Sequence, residues 1–180
     1  YLTKNAAPDY WAFSAFVKPQ FTTSACSIAA VTGALNGLRG LPPHSEDTVT
    51  TQQQMLELVA DPDWATLSAE GGDGVKFDQL VKFTDEAIKA TEMEGYRTEV
   101  LKPSTDDAAT LDEVRALLKA NEASADDALL LYFNQGVVTG DWDGPHDPSS
   151  APTMLRPTGC RSSRSIRSGT SRTGRRRRCC

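Results

Sequence analysis

The charge of this 180-residue chain divides at one point, and the division limits how much of it a single fold can use. Residues 147–180 hold nine Arg, no Lys and one acid, Asp147, for a net charge of +8. Residues 1–146 hold ten basic and 23 acidic side chains, a net of −13, so the overall −5 describes neither part. A tail closing in Arg175-Arg176-Arg177-Arg178 has the form of a solvated arm for nucleic acid or an acidic partner. Basic arms ordinarily mix Lys with Arg, whereas this one sets Arg among Ser, Thr, Gly, Pro and Cys, the composition of GC-rich DNA read out of frame. The genetic code allows a test. When the last base of each codon is joined to the first two of the next, codons for 151–157, entered with the last base of the Ser150 codon, can spell Gly-Ala-Tyr-Asp-Ala-Ala-Thr. Those for 166–174, entered with the last base of the Ser165 codon, can spell Asp-Pro-Glu-Trp-Tyr-Glu-Pro-Tyr-Trp in the same frame. The expectation is a native body over 1–146 and a frameshifted, disordered Arg/Ser tail over 147–180, with no nucleic-acid partner.

A body of that size is enough for one domain with a real core. Hydrophobic residues make up 39% of the chain, and no apolar run reaches the roughly 18–20 residues of a membrane span, so no membrane partner is expected. Cys26 stands alone while Cys160, Cys179 and Cys180 lie near the end, which matches neither a disulfide framework nor zinc-ligand spacing. The chain begins with Tyr1, and its compartment is left open.

Residues 1–23 read as irregular or extended, with Tyr10, Trp11, Phe13, Phe16 and Phe21 available to bury against a body. Thr22, Thr23 and Ser24 are N-cap candidates for a helix in which Ile28, Val31, Leu35 and Leu38 recur at helical spacing until Gly40 and Pro42-Pro43. Further helices are predicted over about 51–60 and 75–92, the latter on Phe77, Leu80, Val81 and Ile88, with Gly71-Gly72 and Gly74 marking the loop between them. A strand is predicted from Tyr96 to Leu101. Thr110 with Glu113 has the form of a capping box, and Leu129 to Phe133 reads as a buried strand. Turn-rich sequence then leads to His146. Helices first, then strands with a helix between, point to an α+β fold.

Three residues could carry chemistry. Cys26 falls in the first turn of its helix, where the positive end of the helix dipole favours a thiolate and a nearby imidazole would favour it further. The bland reading is an inert thiol packed on an apolar helix. His146, after the last core strand, is placed to face that helix end across a cleft. Gln20, six residues before Cys26, could offer a side-chain amide to an oxyanion, alongside the Cys26 backbone N–H. His44, Asp61, Asp63 and Asp73 show no functional spacing.

The run Pro19-Gln20-Phe21-Thr22-Thr23-Ser24-Ala25-Cys26-Ser27-Ile28-Ala29, followed by Leu35-Asn36-Gly37-Leu38, resembles the phytochelatin synthase family. That family has Gln, five residues, Cys, then a helix closing in Leu-Asn-x-Leu. Tyr132-Phe133-Asn134-Gln135-Gly136, then Gly140 and His146, is similar to its strand, Asn-Gln-Gly turn and catalytic-histidine loop. The shifted reading of the tail also resembles what the family has after its histidine. The resemblance covers roughly residues 8–146 and is weak through 41–125.

It implies a papain-like cysteine protease fold, incomplete at the C-terminus, and a γ-glutamylcysteine dipeptidyl transpeptidase or hydrolase acting on glutathione. Cys26 would attack the carbonyl joining Cys to Gly, His146 would move the proton, and Gln20 would hold the oxyanion. No tightly bound cofactor is implied. Cadmium or zinc would arrive on glutathione thiolates, and a homodimer is allowed. Two departures stand out. Pro145 replaces the Gly usual before the histidine, and no Asp or Glu occurs from Pro148 to Cys180, where the family places the third triad residue. Loss of a triad aspartate costs about 10⁴ in rate, so the 180-residue chain is expected to be weakly active or inactive. The competing readings are a general papain-like cysteine peptidase, an Arg-tail nucleic-acid binder, and a non-catalytic α+β interaction module.

Overall fold

The computed structural model describes residues 6–44, 47–103, 107–133, 140 and 151–157. Its centre is the helix that the apolar spacing predicts. That helix, α2, runs Cys26–Arg39 and buries Ile28, Val31, Ala34 and Leu35 on one stripe before Gly40 ends it at φ 80. Before it come α1 (Pro8–Phe13) and a 3-10 turn (Ser14–Phe16); after it come α3 (Gln52–Val59), α4 (Pro62–Leu67), α5 (Phe77–Ala90), β1 (Tyr96–Val100), α6 (Ala108–Glu122), β2 (Ala128–Tyr132) and β3 (Ala151–Pro157). The architecture is α+β. Helices α1, α3 and α5 and strand β2 all pack on α2.

The core lies between α2, α3, α4 and α5. Trp64, fully buried, stacks on Phe83 with ring centroids 5.0 Å apart and 8° between planes. Its indole N–H donates to Ser27 Oγ at 3.0 Å, so the bulkiest core side chain also holds the second residue of α2. Met55 and Ile88 complete this layer.

The N-terminal segment differs from the irregular stretch expected. Pro8 and Asp9 start α1, a proline in the first turn being where its missing N–H costs nothing. Of the five aromatics expected to bury here, only Phe16 is fully covered. Trp11 remains 62% exposed, Tyr10 and Phe21 are also exposed, and Phe13 lies against Gly37, where a Cβ would fall 2.0 Å from its ring. That contact explains a glycine in mid-helix, a position costing about 1 kcal/mol relative to Ala.

Helix α4 lies outside the helices that periodicity predicts, although Asp61-Pro62 carries its start signal: Asp61 Oδ1 accepts from the Asp63 and Trp64 amides, and Oδ2 meets Lys82 Nζ at 2.7 Å. In α6 the cap is Asp107, which accepts from the Thr110 amide; Thr110 lies inside the helix instead of capping it.

The strands form one antiparallel sheet in the order β1-β3-β2. Residues 151–157, within the stretch that composition assigns to a disordered tail, form β3, which pairs with both β1 and β2. Thr98 pairs with Leu155 and Leu129 with Met154. The stagger leaves Thr153, Met154 and Leu155 flanked on both sides, while Pro152 pairs only toward β2 and Pro157 only toward β1. Proline has no N–H for a ladder, so each proline stands where one neighbour is absent.

Candidate active site

Cys26 is the first residue of α2 and is exposed with a free thiol. Its sulfur is therefore not packed into the core, as the bland reading would place it. The N-cap is Ala25, fully buried, and no side chain caps the helix. This corrects the expectation that Thr22, Thr23 or Ser24 would do so. Their hydroxyls are drawn across the molecule: Thr22 Oγ1 donates to Ser68 O at 2.5 Å, Thr23 Oγ1 to Glu70 Oε1 at 2.8 Å and Ser24 Oγ to Gly72 O at 2.6 Å. The helix start thus keeps its first N–H groups clear of side-chain acceptors, beside an exposed sulfur. Unpaired amides at a helix N-terminus stabilise negative charge, which suits both a thiolate and an oxyanion.

The loop after α4 supplies the other half of this latch. Glu70 takes the Thr23 amide on Oε2 at 3.0 Å as well as the Thr23 hydroxyl, and these two bonds hold its carboxyl below the usual carboxylate range. Gly72 lies so close to the end of α4 that a Cβ would stand 2.6 Å from Leu67 O and 2.8 Å from Thr66 O. Glycine is required there by close approach of backbones. Sequence reading marks this stretch only as a loop. The partners are 46 to 48 residues from the segment they hold, beyond the reach of any local pattern.

Gln20 is exposed in the loop leading to Cys26. Its Nε2 donates to Thr23 O at 2.9 Å, which uses one of the two N–H bonds of the carboxamide. His146, with Asn134, Gln135 and Gly136, lies outside the described residues. Cys26 and Gln20 are thus brought onto one loop-helix unit.

Ala29, Ala30 and Gly33 follow Cys26 at helical spacing and form one wall of a cleft of about 500 Å³, closed on other sides by Tyr10, Glu122 and Leu130. Asp9 also faces it, its Oδ1 buried without a hydrogen-bond partner. Burial, then the charges of Asp127 and Glu122, push the Asp9 carboxyl up to about 6.

Among the described residues no three or more His, Cys, Asp or Glu side chains are grouped to hold a metal ion. Among the same residues no helix is long and apolar enough to cross a membrane. Comparison of the chain with models of known families gives no match, and comparison with curated proteins gives none either.

Proposed function

We propose that this chain carries the catalytic part of a papain-like γ-glutamylcysteine dipeptidyl transpeptidase or hydrolase of the phytochelatin synthase type, acting on glutathione through an acyl-enzyme on Cys26. The observation that carries this reading is an exposed thiol at a helix N-terminus that no side chain caps, with Gln20 in the adjoining loop. His146 takes the thiol proton as sulfur attacks the Cys–Gly carbonyl. The oxyanion that forms is met by the Cys26 amide and the second N–H of Gln20. Collapse breaks the peptide bond, His146 returns the proton to the leaving glycine amine, and γ-Glu-Cys remains as a thioester. The amine of a second glutathione then attacks the thioester and gives phytochelatin, whereas water gives γ-Glu-Cys. Cadmium or zinc belongs to this scheme as a substrate, carried on glutathione thiolates.

The test uses the 180-residue chain and a second protein in which the reading frame is restored after His146. Each is incubated with glutathione, and both glycine release and the mass of the Cys26 peptide are followed. The restored protein should release glycine and acylate Cys26, and Cys26→Ala should do neither. The 180-residue chain, without an acid to orient His146, should be slower by about 10⁴. Full glutathione turnover by the 180-residue chain would refute the expectation that it is weakly active or inactive. Cleavage of ordinary α-peptides in preference to glutathione would favour a general cysteine peptidase instead.

A further inference from the structure

Gln20 stands in a loop with little packing beneath it. Val17 is 74% exposed, Lys18, Pro19 and Gln20 are exposed as well, and behind the loop lies a cavity of about 350 Å³ lined by Phe16, Phe21, Thr32, Asn36 and Gln52. An oxyanion donor must be held within a few tenths of an ångström of its working position, and a cavity supplies no such constraint. One side chain does. Gln52 Nε2 donates to Pro19 O at 2.8 Å and Gln52 Oε1 accepts from the Phe21 amide at 3.2 Å, so a single carboxamide grips the main chain on both sides of Gln20.

Gln52 is itself fixed. It is only 9% exposed and opens α3, directly after Thr51, which forms a capping box with Gln54. Thr50 O accepts from Asn36 Nδ2 at 2.8 Å, which ties the start of α3 back to α2. Cys26 and Gln20 are therefore joined by two routes: the short stretch of chain between them, and a path from α2 through Asn36, Thr50 and Gln52. Resting on the enzymatic reading above, we infer that Gln52 is the positioning residue of the oxyanion hole, setting the Gln20 amide against the carbonyl attacked by Cys26.

The experiment separates acylation from thiol reactivity in the 180-residue chain. The p-nitrophenyl ester of γ-Glu-Cys acylates a cysteine without needing an acid for its leaving group, so its rate reports the nucleophile and the oxyanion hole. Iodoacetamide alkylates Cys26 with no oxyanion, and peptide mapping assigns both modifications to Cys26. Gln52→Ala should lower acylation about 10- to 100-fold, leave alkylation within about twofold, and speed hydrogen exchange at the Phe21 amide. In a Gln20→Ala background the same change should have no further effect on acylation, because there is no amide left to position. If Gln52→Ala does not fold, Gln52→Glu keeps the acceptor for the Phe21 amide and removes the donor to Pro19, and its acylation and alkylation are compared with and without Gln20 in the same way. Faster exchange at Phe21 with acylation unchanged, or equal effects with and without Gln20, would overturn the positioning role alone. Where only the frame-restored protein acylates Cys26, the same variants are compared in it. Failure of both the unmodified chain and the frame-restored protein to acylate Cys26 with the ester would overturn the enzymatic reading, and this inference with it.

Discussion

At the start of α2 the backbone faces a choice that small polar residues normally settle by capping. Thr22, Thr23 and Ser24 each have a hydroxyl suited to that task, and each spends it on the 68–72 loop. The result is an exposed sulfur beside amides that no side chain covers. A second unusual residue lies in α1, facing the cleft that α2 lines. Asp9 has one buried oxygen without a partner and two acidic neighbours in Glu122 and Asp127, so its proton is held to about pH 6 in the folded chain. In the unfolded chain the same carboxyl titrates near 3.8. Between those values the folded state binds the extra proton, so the stability contributed by protonation is complete below about 3.8 and is lost as pH rises through about 6. Asp9→Asn should therefore raise stability at pH 7.5 by about 1 kcal/mol, allowing for solvent screening of a partly exposed group, and by much less at pH 4. Urea unfolding midpoints at the two pH values read this directly. Equal shifts at both would show that the charge of Asp9 costs nothing. Cys26 and Gln20 could be singled out from sequence because their chemistry depends on neighbours six residues apart. Asp9, Glu70 and Gln52 could not, since their partners are 31 to 118 residues away.

The elements divide by whether their start signals are local. Helices α2, α3 and α5 follow apolar spacing closely, because each buries one stripe against the same core. Helix α4 is only six residues long and buries Trp64 alone, too little for periodicity, yet its Asp-Pro start is readable from sequence. The end of α4 fixes the approach to Cys26. Gly72 touches the last carbonyls of α4 and presents its own carbonyl to Ser24, so one glycine joins the helix end to the loop that precedes Cys26. In Gly72→Ala the new methyl would have to displace backbone and not a flexible side-chain tip, a change costing about 1–3 kcal/mol. Thermal unfolding should show that loss, and amide exchange should rise at Thr23, whose N–H is held by Glu70 in the same loop. Destabilisation with the Thr23 amide still protected would mean that the latch does not depend on the position of Gly72.

Across the whole molecule the charge boundary and the fold boundary fall at different places. The acidic body ends near His146, but among the described residues β1 and β2 are joined into one sheet only by β3, which begins at Ala151, on the basic side of that boundary. That arrangement was not legible in the sequence, because 151–157 holds two prolines and follows no alternation that would mark a central strand. The stagger of the sheet accommodates both prolines at one-sided positions and leaves only Thr153, Met154 and Leu155 with neighbours on both sides. Two truncations separate the contributions of charge and fold. A chain ending at 157 loses eight of the nine Arg of the tail but keeps β3, whereas a chain ending at 150 loses the strand as well. The first should unfold at nearly the urea midpoint of the full chain. The second should unfold at a lower midpoint and aggregate, because β1 and β2 are each left with an unpaired edge toward the other. Equal midpoints for both truncations would mean that β3 adds nothing to the stability of the sheet, and that the fold does end where the acidic charge does.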